Sequence, residues 1–318
     1  PLSQLQAQQD HLNACFSASN AGVAKVPTSG RYKHDHVIGN AHIVFLPTTL
    51  TEEHVERVQV DQEFSGLVDT LSWLTGHGYT GNYEGYLNLI VAPLGSLLGQ
   101  AYVTNNRCVV HTGTIGSDTV AGTTATYDRG MTAAHEVGHC LGLPHTWDET
   151  CTQAYSDIPA QKNPDYHFEL VQQEDGTWTG SKCYRERDCK IYRDGDNDYK
   201  VEGLELPYSC FGCHEDPACP ECDTGTYEQG PNIMGYPRDV HLAMFSAEQA
   251  VDMRENLIAG STTIALKESS TDASIPAIVA VPDSTASSSS LGAGVIAGIV
   301  VGVLVLAVIV MYAIYRNK

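Results

Sequence analysis

The segment Thr132-Ala-Ala-His135-Glu136-Val-Gly-His139-Cys140-Leu-Gly142-Leu-Pro144-His145 decides the fold. On an α-helix His135 and His139 stand four residues apart, so both imidazoles leave one face and reach one metal ion. Gly142 can take a positive φ and stop the helix, which turns His145 back toward the same ion as a third ligand. Three nitrogens leave one tetrahedral position open for water, the arrangement of catalytic rather than structural zinc. Glu136, beside the first histidine, is placed to accept a proton from that water and to pass it to a departing amine. Scattered core histidines would not keep this joint spacing with Gly and Pro at the turn.

Outward from this segment, Leu2 to Phe16 and Thr51 to Leu74 carry apolar residues at helical spacing, whereas Ala41 to Leu46 and Leu87 to Ala92 are short runs of Val, Ile and Leu. The first pair predicts helices and the second strands. Thr132 to Gly142 predicts the active-site helix. A last helix is expected from Ser246, where Ser-Ala-Glu-Gln makes a capping box, to about Leu257. Helices alternating with strands give the class α+β, with an α/β-like mixed sheet.

His135-Glu136-x-x-His139-x-x-Gly142-x-x-His145 matches every fixed position of the metzincin signature, and the chain resembles that class of zinc metalloproteases. The resemblance implies a Met-turn downstream, and Asn232-Ile233-Met234-Gly235-Tyr236 supplies one. Met234 is then expected beneath the zinc site. Tyr236 is expected to stabilise the oxyanion of the tetrahedral intermediate. The chain is most similar to the pappalysin family, through the helix with Leu143 and Thr146, Leu87-Asn-Leu-Ile-Val-Ala92, Asp157-Ile-Pro-Ala-Gln161, Met244-Phe-Ser-Ala-Glu-Gln249 and Met253. It departs from that family at Cys140, where a large aromatic is common, and at Gly235, where an acidic residue is usual. The resemblance implies an upper lobe of mixed sheet and active-site helix, a lower irregular lobe rich in cysteine, and a zinc cleft between them.

With 18 Lys+Arg against 38 Asp+Glu the formal net charge is -20, which repels a phosphate backbone and excludes nucleic acid as a partner. There are 10 cysteines, and those from Cys151 to Cys222 crowd into an insertion at about 147–230. That density fits an oxidising compartment and disulfides. Cys210-x-x-Cys213 and Cys219-x-x-Cys222 also have the spacing of a structural zinc site, the competing reading. Cys140 is expected on the buried side of its helix. Asp194, Asp196 and Asp198, with Glu205 beyond, partly mimic a calcium loop, but Tyr199 stands where an EF-hand needs Gly. The pappalysin resemblance keeps a structural calcium ion open.

Leu291 to Tyr315 contains no charged residue and is long enough to cross a bilayer core of about 30 Å as a helix. Arg316-Asn317-Lys318 follows, which predicts a type I protein with a cytoplasmic tail at 316–318 and the rest extracellular or lumenal. A cleaved lipid-anchor signal is the alternative. Gly294, Gly298 and Gly302 would lie on one strip and allow a homodimer through the span. Residues 260–290, rich in Ser, Thr, Ala and Pro, read as a stalk. The catalytic domain is expected over 1–259, acting as a zinc endopeptidase on extracellular proteins. The rival reading is a catalytically silent zinc protein of the cell surface that works by adhesion.

Overall fold

The computed structural model describes residues 1–28, 34–124, 126–147, 154–158, 231–260 and 264, with the backbone of short strands within 166–201 and of 303–313. Helix α1 (Leu2–Phe16) has the predicted bounds and buries Leu5, Leu12, Cys15 and Phe16. Strands β1 (Ile38–Gly39) and β2 (Val44–Leu46) follow. The helix expected from Thr51 to Leu74 is divided instead: Val55–Val60 forms strand β3, and only Leu67–Gly76 forms helix α2. The valines at 55, 58 and 60 are buried while Glu56, Arg57 and Gln59 are more open. A spacing of three followed by two fits either period, and the β-branched side chains favour the strand.

Strands β4 (Leu87–Ala92), β5 (Gly99–Ala101) and β6 (Arg107–His111) precede the active-site helix α3 (Met131–Cys140). Short strands β7 (Tyr166–His167), β8 (Leu170–Gln172), β9 (Trp178–Gly180), β10 (Tyr184–Arg185), β11 (Ile191–Asp194) and β12 (Asp198–Val201) pair among themselves as β7 with β10, β8 with β9 and β11 with β12. Strand β13 (Phe245–Ser246) pairs with β1, helix α4 (Ala247–Ile258) follows it, and β14 covers Val303–Ala313. The predicted capping box is present at α4: Ser246 accepts from the Gln249 backbone and the Gln249 side chain accepts from the Ser246 backbone. Asp157 completes the cap, its two carboxyl oxygens accepting from Ser246 Oγ and the Glu248 N–H at 2.8 and 2.9 Å.

The main sheet runs β2-β14-β4-β6-β5, with β3 also paired to β14. All its pairings are parallel except that of β5 with β6. Alternation along β4 sends Leu87, Leu89 and Val91 to one face, where α1 and α3 pack, and Ile90 and Ala92 to the other, where Leu67 and Leu74 of α2 cover them. Cys108 and Val110 of β6 join the first core and Val109 the second. Helices therefore cover both faces of a mixed sheet, as the α/β-like reading requires.

The membrane helix expected over 291–315 is corrected where the chain is described: Val303–Ala313 is an extended strand inside the sheet. An uncharged Val-, Leu- and Ile-rich run suits a strand buried on both faces as well as a bilayer helix. Among the described residues no helix is long and apolar enough to cross a membrane. The rest of the expected span, with Gly294, Gly298, Gly302 and the expected dimer, lies outside the described residues, as do the tail at 316–318 and all but Gly260 and Ile264 of the stalk. Seven cysteines, from Cys151 to Cys222, also lie outside them, as do the disulfides or second zinc site expected there. Asp194 faces Asp198 across the β11–β12 hairpin, while Asp196 and Glu205 of the expected calcium loop are outside.

Candidate metal centre

All ten residues of α3 are buried, so this short helix is held by packing rather than by propensity. Its start is capped from a distance: Asp239 Oδ2 accepts the N–H groups of Arg129 and Met131 at 2.8 and 3.4 Å. Its end is a Schellman turn, in which the Leu143 N–H reaches the Gly138 carbonyl at 3.0 Å and the Gly142 N–H that of His139 at 2.9 Å. Gly142 has φ +104°, the positive value the sequence required of it. The turn brings His145 back beneath the helix.

His135, His139 and His145 converge, with one ligand nitrogen from each all within 4.8 Å of one another. His139 Nε2 and His145 Nε2 lie 3.2 Å apart. Two nitrogens on one tetrahedral zinc would be separated by about 3.3 Å, given Zn–N bonds of roughly 2.0–2.1 Å. His135 Nδ1 donates to the Ile233 carbonyl at 2.8 Å and His139 Nδ1 to the Leu143 carbonyl at 2.7 Å. Because a carbonyl only accepts, each Nε2 is left with its lone pair toward the shared centre. Burial, reinforced by the neighbouring imidazoles, pushes His135 down to about 3 and His145 down to about 4, and burial also lowers His139. Three neutral imidazoles, two of them aimed by their Nδ1 hydrogen bonds, fit zinc.

Glu136 is buried beside this set, and desolvation raises its carboxyl to about 8. Edge strand β5 passes so near that a methyl group on Gly99 would stand 2.7 Å from Glu136 Oε1. Met234 is fully buried below α3, where a methyl on Gly138 would meet its sulfur at 2.5 Å. Asn232 Oδ1 accepts the Met234 N–H at 2.9 Å and fixes the turn. Tyr236 is half exposed, and its hydroxyl lies 3.1 Å from His145 Nε2. His135, Glu136, His139, His145 and Tyr236 thus line one cleft of about 500 Å³, whose walls include Leu97, Gly99, Tyr127 and Asp239.

Two residues at the cleft escape a reading of the sequence. Trp147 stacks on the His145 ring, centroids 4.6 Å apart at 10°, and meets Tyr236 edge-on at 5.4 Å. A lone Trp after the signature carries no spacing that announces this. Asp239 belongs to no motif either. Burial lifts its carboxyl to about 7, outweighing the two backbone N–H groups that favour the anion. Between pH of about 4 and about 7 the folded protein then holds a proton that the unfolded chain has released, so stability falls as pH rises through that window. Asp239→Asn, which keeps an acceptor for the helix cap, should melt higher than wild type at pH 8 in the metal-free protein. Thermal melts should show the gap closing toward pH 4.5; a gap independent of pH would assign that proton elsewhere.

The chain is 34% identical over 94 residues to extracellular metalloprotease 1 of Coccidioides posadasii, covering 26% of this chain and 34% of that protein. An extracellular metalloprotease of Colletotrichum graminicola is 47% identical over 55 residues, 16% of this chain and 20% of the relative. The chain thus spans about a third or less of the length of these curated relatives. Among solved structures, mirolysin in complex with compound 9 superposes with TM-score 0.56 at 22% identity, over 82% of this chain and 86% of that one. The fold is that of mirolysin. Mature mirolysin of Tannerella forsythia in complex with a cleaved peptide gives TM-score 0.53 at 22% identity, covering 80% and 83% of the two chains. No family model matches the sequence. The metalloprotease relatives and the three-histidine site together imply zinc.

Proposed function

We propose that the protein is a zinc-dependent endopeptidase of pappalysin type that hydrolyses internal peptide bonds of extracellular proteins. The observation that carries this reading is the convergence of three imidazole nitrogens on a cleft whose wall is formed by Glu136 and an edge strand. His135, His139 and His145 would hold the ion, which supplies Lewis-acid polarisation and a more acidic water. Glu136 takes a proton from the attacking water at a carboxylate oxygen and delivers it to the departing amine. An extended peptide fits beside β5, the last strand of the sheet, adding its backbone as a further strand. Among the described residues of the cleft only Glu136 and Asp239 are acidic and none is Lys or Arg, so a neutral or basic side chain is accommodated beside the cut.

Tyr236 is placed to donate its hydroxyl to the developing oxyanion, a bond made in the transition state rather than on binding. Tyr236→Phe should lower kcat by roughly 10-fold to 10³-fold, leaving KM and zinc content near those of wild type. An unchanged kcat removes Tyr236 from the mechanism. The function as a whole is tested by digesting a proteome-derived peptide library with the zinc-loaded protein. Internal cleavage is the expected result, and silence from protein with one bound zinc would replace the peptidase reading by the adhesion one.

A further inference from the structure

Two of the three imidazoles are held on the side away from their shared centre, His135 Nδ1 by the Ile233 carbonyl and His139 Nδ1 by that of Leu143. His145 Nδ1 has no such partner among the described residues. The polar contacts of His145 are both made by Nε2, with His139 Nε2 at 3.2 Å and the Tyr236 hydroxyl at 3.1 Å. Nε2 is the atom that would face the ion, so these contacts do not orient the ring once metal takes that lone pair. His145 also lies past the end of α3, where no helix restrains it. What remains is Trp147, whose ring lies on that of His145 with centroids 4.6 Å apart and planes 10° from parallel. The buried Trp147 Nε1 makes no hydrogen bond to a described residue, so the indole acts here through its face.

We propose that Trp147 is the positioning residue of the third zinc ligand: its indole face sets the plane of the His145 imidazole, as the two carbonyls set those of His135 and His139. The inference rests on the reading of the three histidines as a zinc site, and not on peptide hydrolysis. A histidine ring beyond a helix end turns about two side-chain bonds, and only a narrow range of both aims Nε2 at a centre that the buried His135 and His139 already fix. A flat partner at stacking distance opposes the rotations that would tilt the imidazole, and it occupies neither ring nitrogen. The stack is itself tied to the second motif of the site. Thr146 donates its N–H to the Met234 carbonyl at 3.4 Å, and Trp147 meets Tyr236 edge-on at 5.4 Å. Trp147 thereby joins His145 to the turn that carries Met234 and Tyr236. Groups that orient a metal ligand in this way are worth roughly 10-fold to 100-fold in metal affinity.

The test measures zinc affinity of the full chain by competition with a chromophoric chelator, beside melts of the metal-free protein and the visible absorption of its cobalt(II) form. Trp147→Leu keeps apolar bulk without a flat face, so it should bind zinc roughly 10-fold to 100-fold more weakly and change the cobalt spectrum. Trp147→Met is measured beside it, so that a failure of one variant to fold leaves the other. Trp147→Phe, which keeps a face, should stay within about 3-fold of wild type. In a His145→Ala chain, Trp147→Leu should make no further difference, because the ring it positions is gone. Unchanged affinity in folded Trp147→Leu or Trp147→Met overturns the proposal. So does a further loss in the His145→Ala chain, or a Trp147→Phe variant as weak as the aliphatic ones. A wild-type chain that takes up no zinc overturns the zinc site and this inference with it, whereas intact wild-type binding with unaffected variants overturns this inference alone.

Discussion

Glu136→Ala should retain zinc and fold while losing peptide hydrolysis by about 10²-fold to 10⁴-fold, the range associated with a positioned proton-transfer group. Three imidazoles hold the ion without this carboxylate, and the helix that carries it is fixed by contacts that do not involve it: the Asp239 cap, the Schellman turn and the core below. Burial makes this side chain costly in its charged form, so its removal should leave the melting temperature of the metal-free protein the same or higher. Metal content by elemental analysis and turnover on a peptide substrate separate the two roles. Full activity in the variant would remove Glu136 as the general base, and lost zinc would make it a structural partner of the ion instead.

His139→Ala should abolish both zinc and activity. Two imidazoles hold the ion far less firmly than three, and the variant also frees the Leu143 carbonyl that His139 now satisfies at 2.7 Å. A buried carbonyl left without its donor costs about 1–3 kcal/mol, so this variant, unlike Glu136→Ala, should melt lower even before metal is considered. Equilibrium dialysis against zinc and melts with and without the ion distinguish the two effects. Retention of one tightly bound zinc by His139→Ala would mean that the ion sits elsewhere.

The centre was legible because its geometry is local. His135, His139, Gly142 and His145 lie within one helix and one turn, so residue spacing determines their directions, whereas Met234 and Tyr236 were singled out only through the metzincin resemblance. Helix α1 and the cap of α4 were legible for the same reason: apolar period in one, the Ser246 to Gln249 box in the other. What escaped depends on distant partners. Asp239 caps α3 across more than a hundred residues, and Trp147 gains its role only when the Schellman turn stacks it on His145. The segment Val55–Val60 misled because its valines satisfy two periods at once, and only pairing in the sheet decides between them. Val303–Ala313 misled similarly: an uncharged run states that a segment is buried, not whether lipid or protein surrounds it.

Gly99 gives the cleft one more property. Where β5 passes Glu136, the strand offers hydrogen in place of a side chain, and any carbon added there would overlap the carboxylate. The position contributes no chemical group, yet it tolerates no other amino acid without moving either the strand or the acid. Gly99 therefore shapes the cleft by what it lacks, leaving the Glu136 carboxyl the room that a side chain on β5 would take.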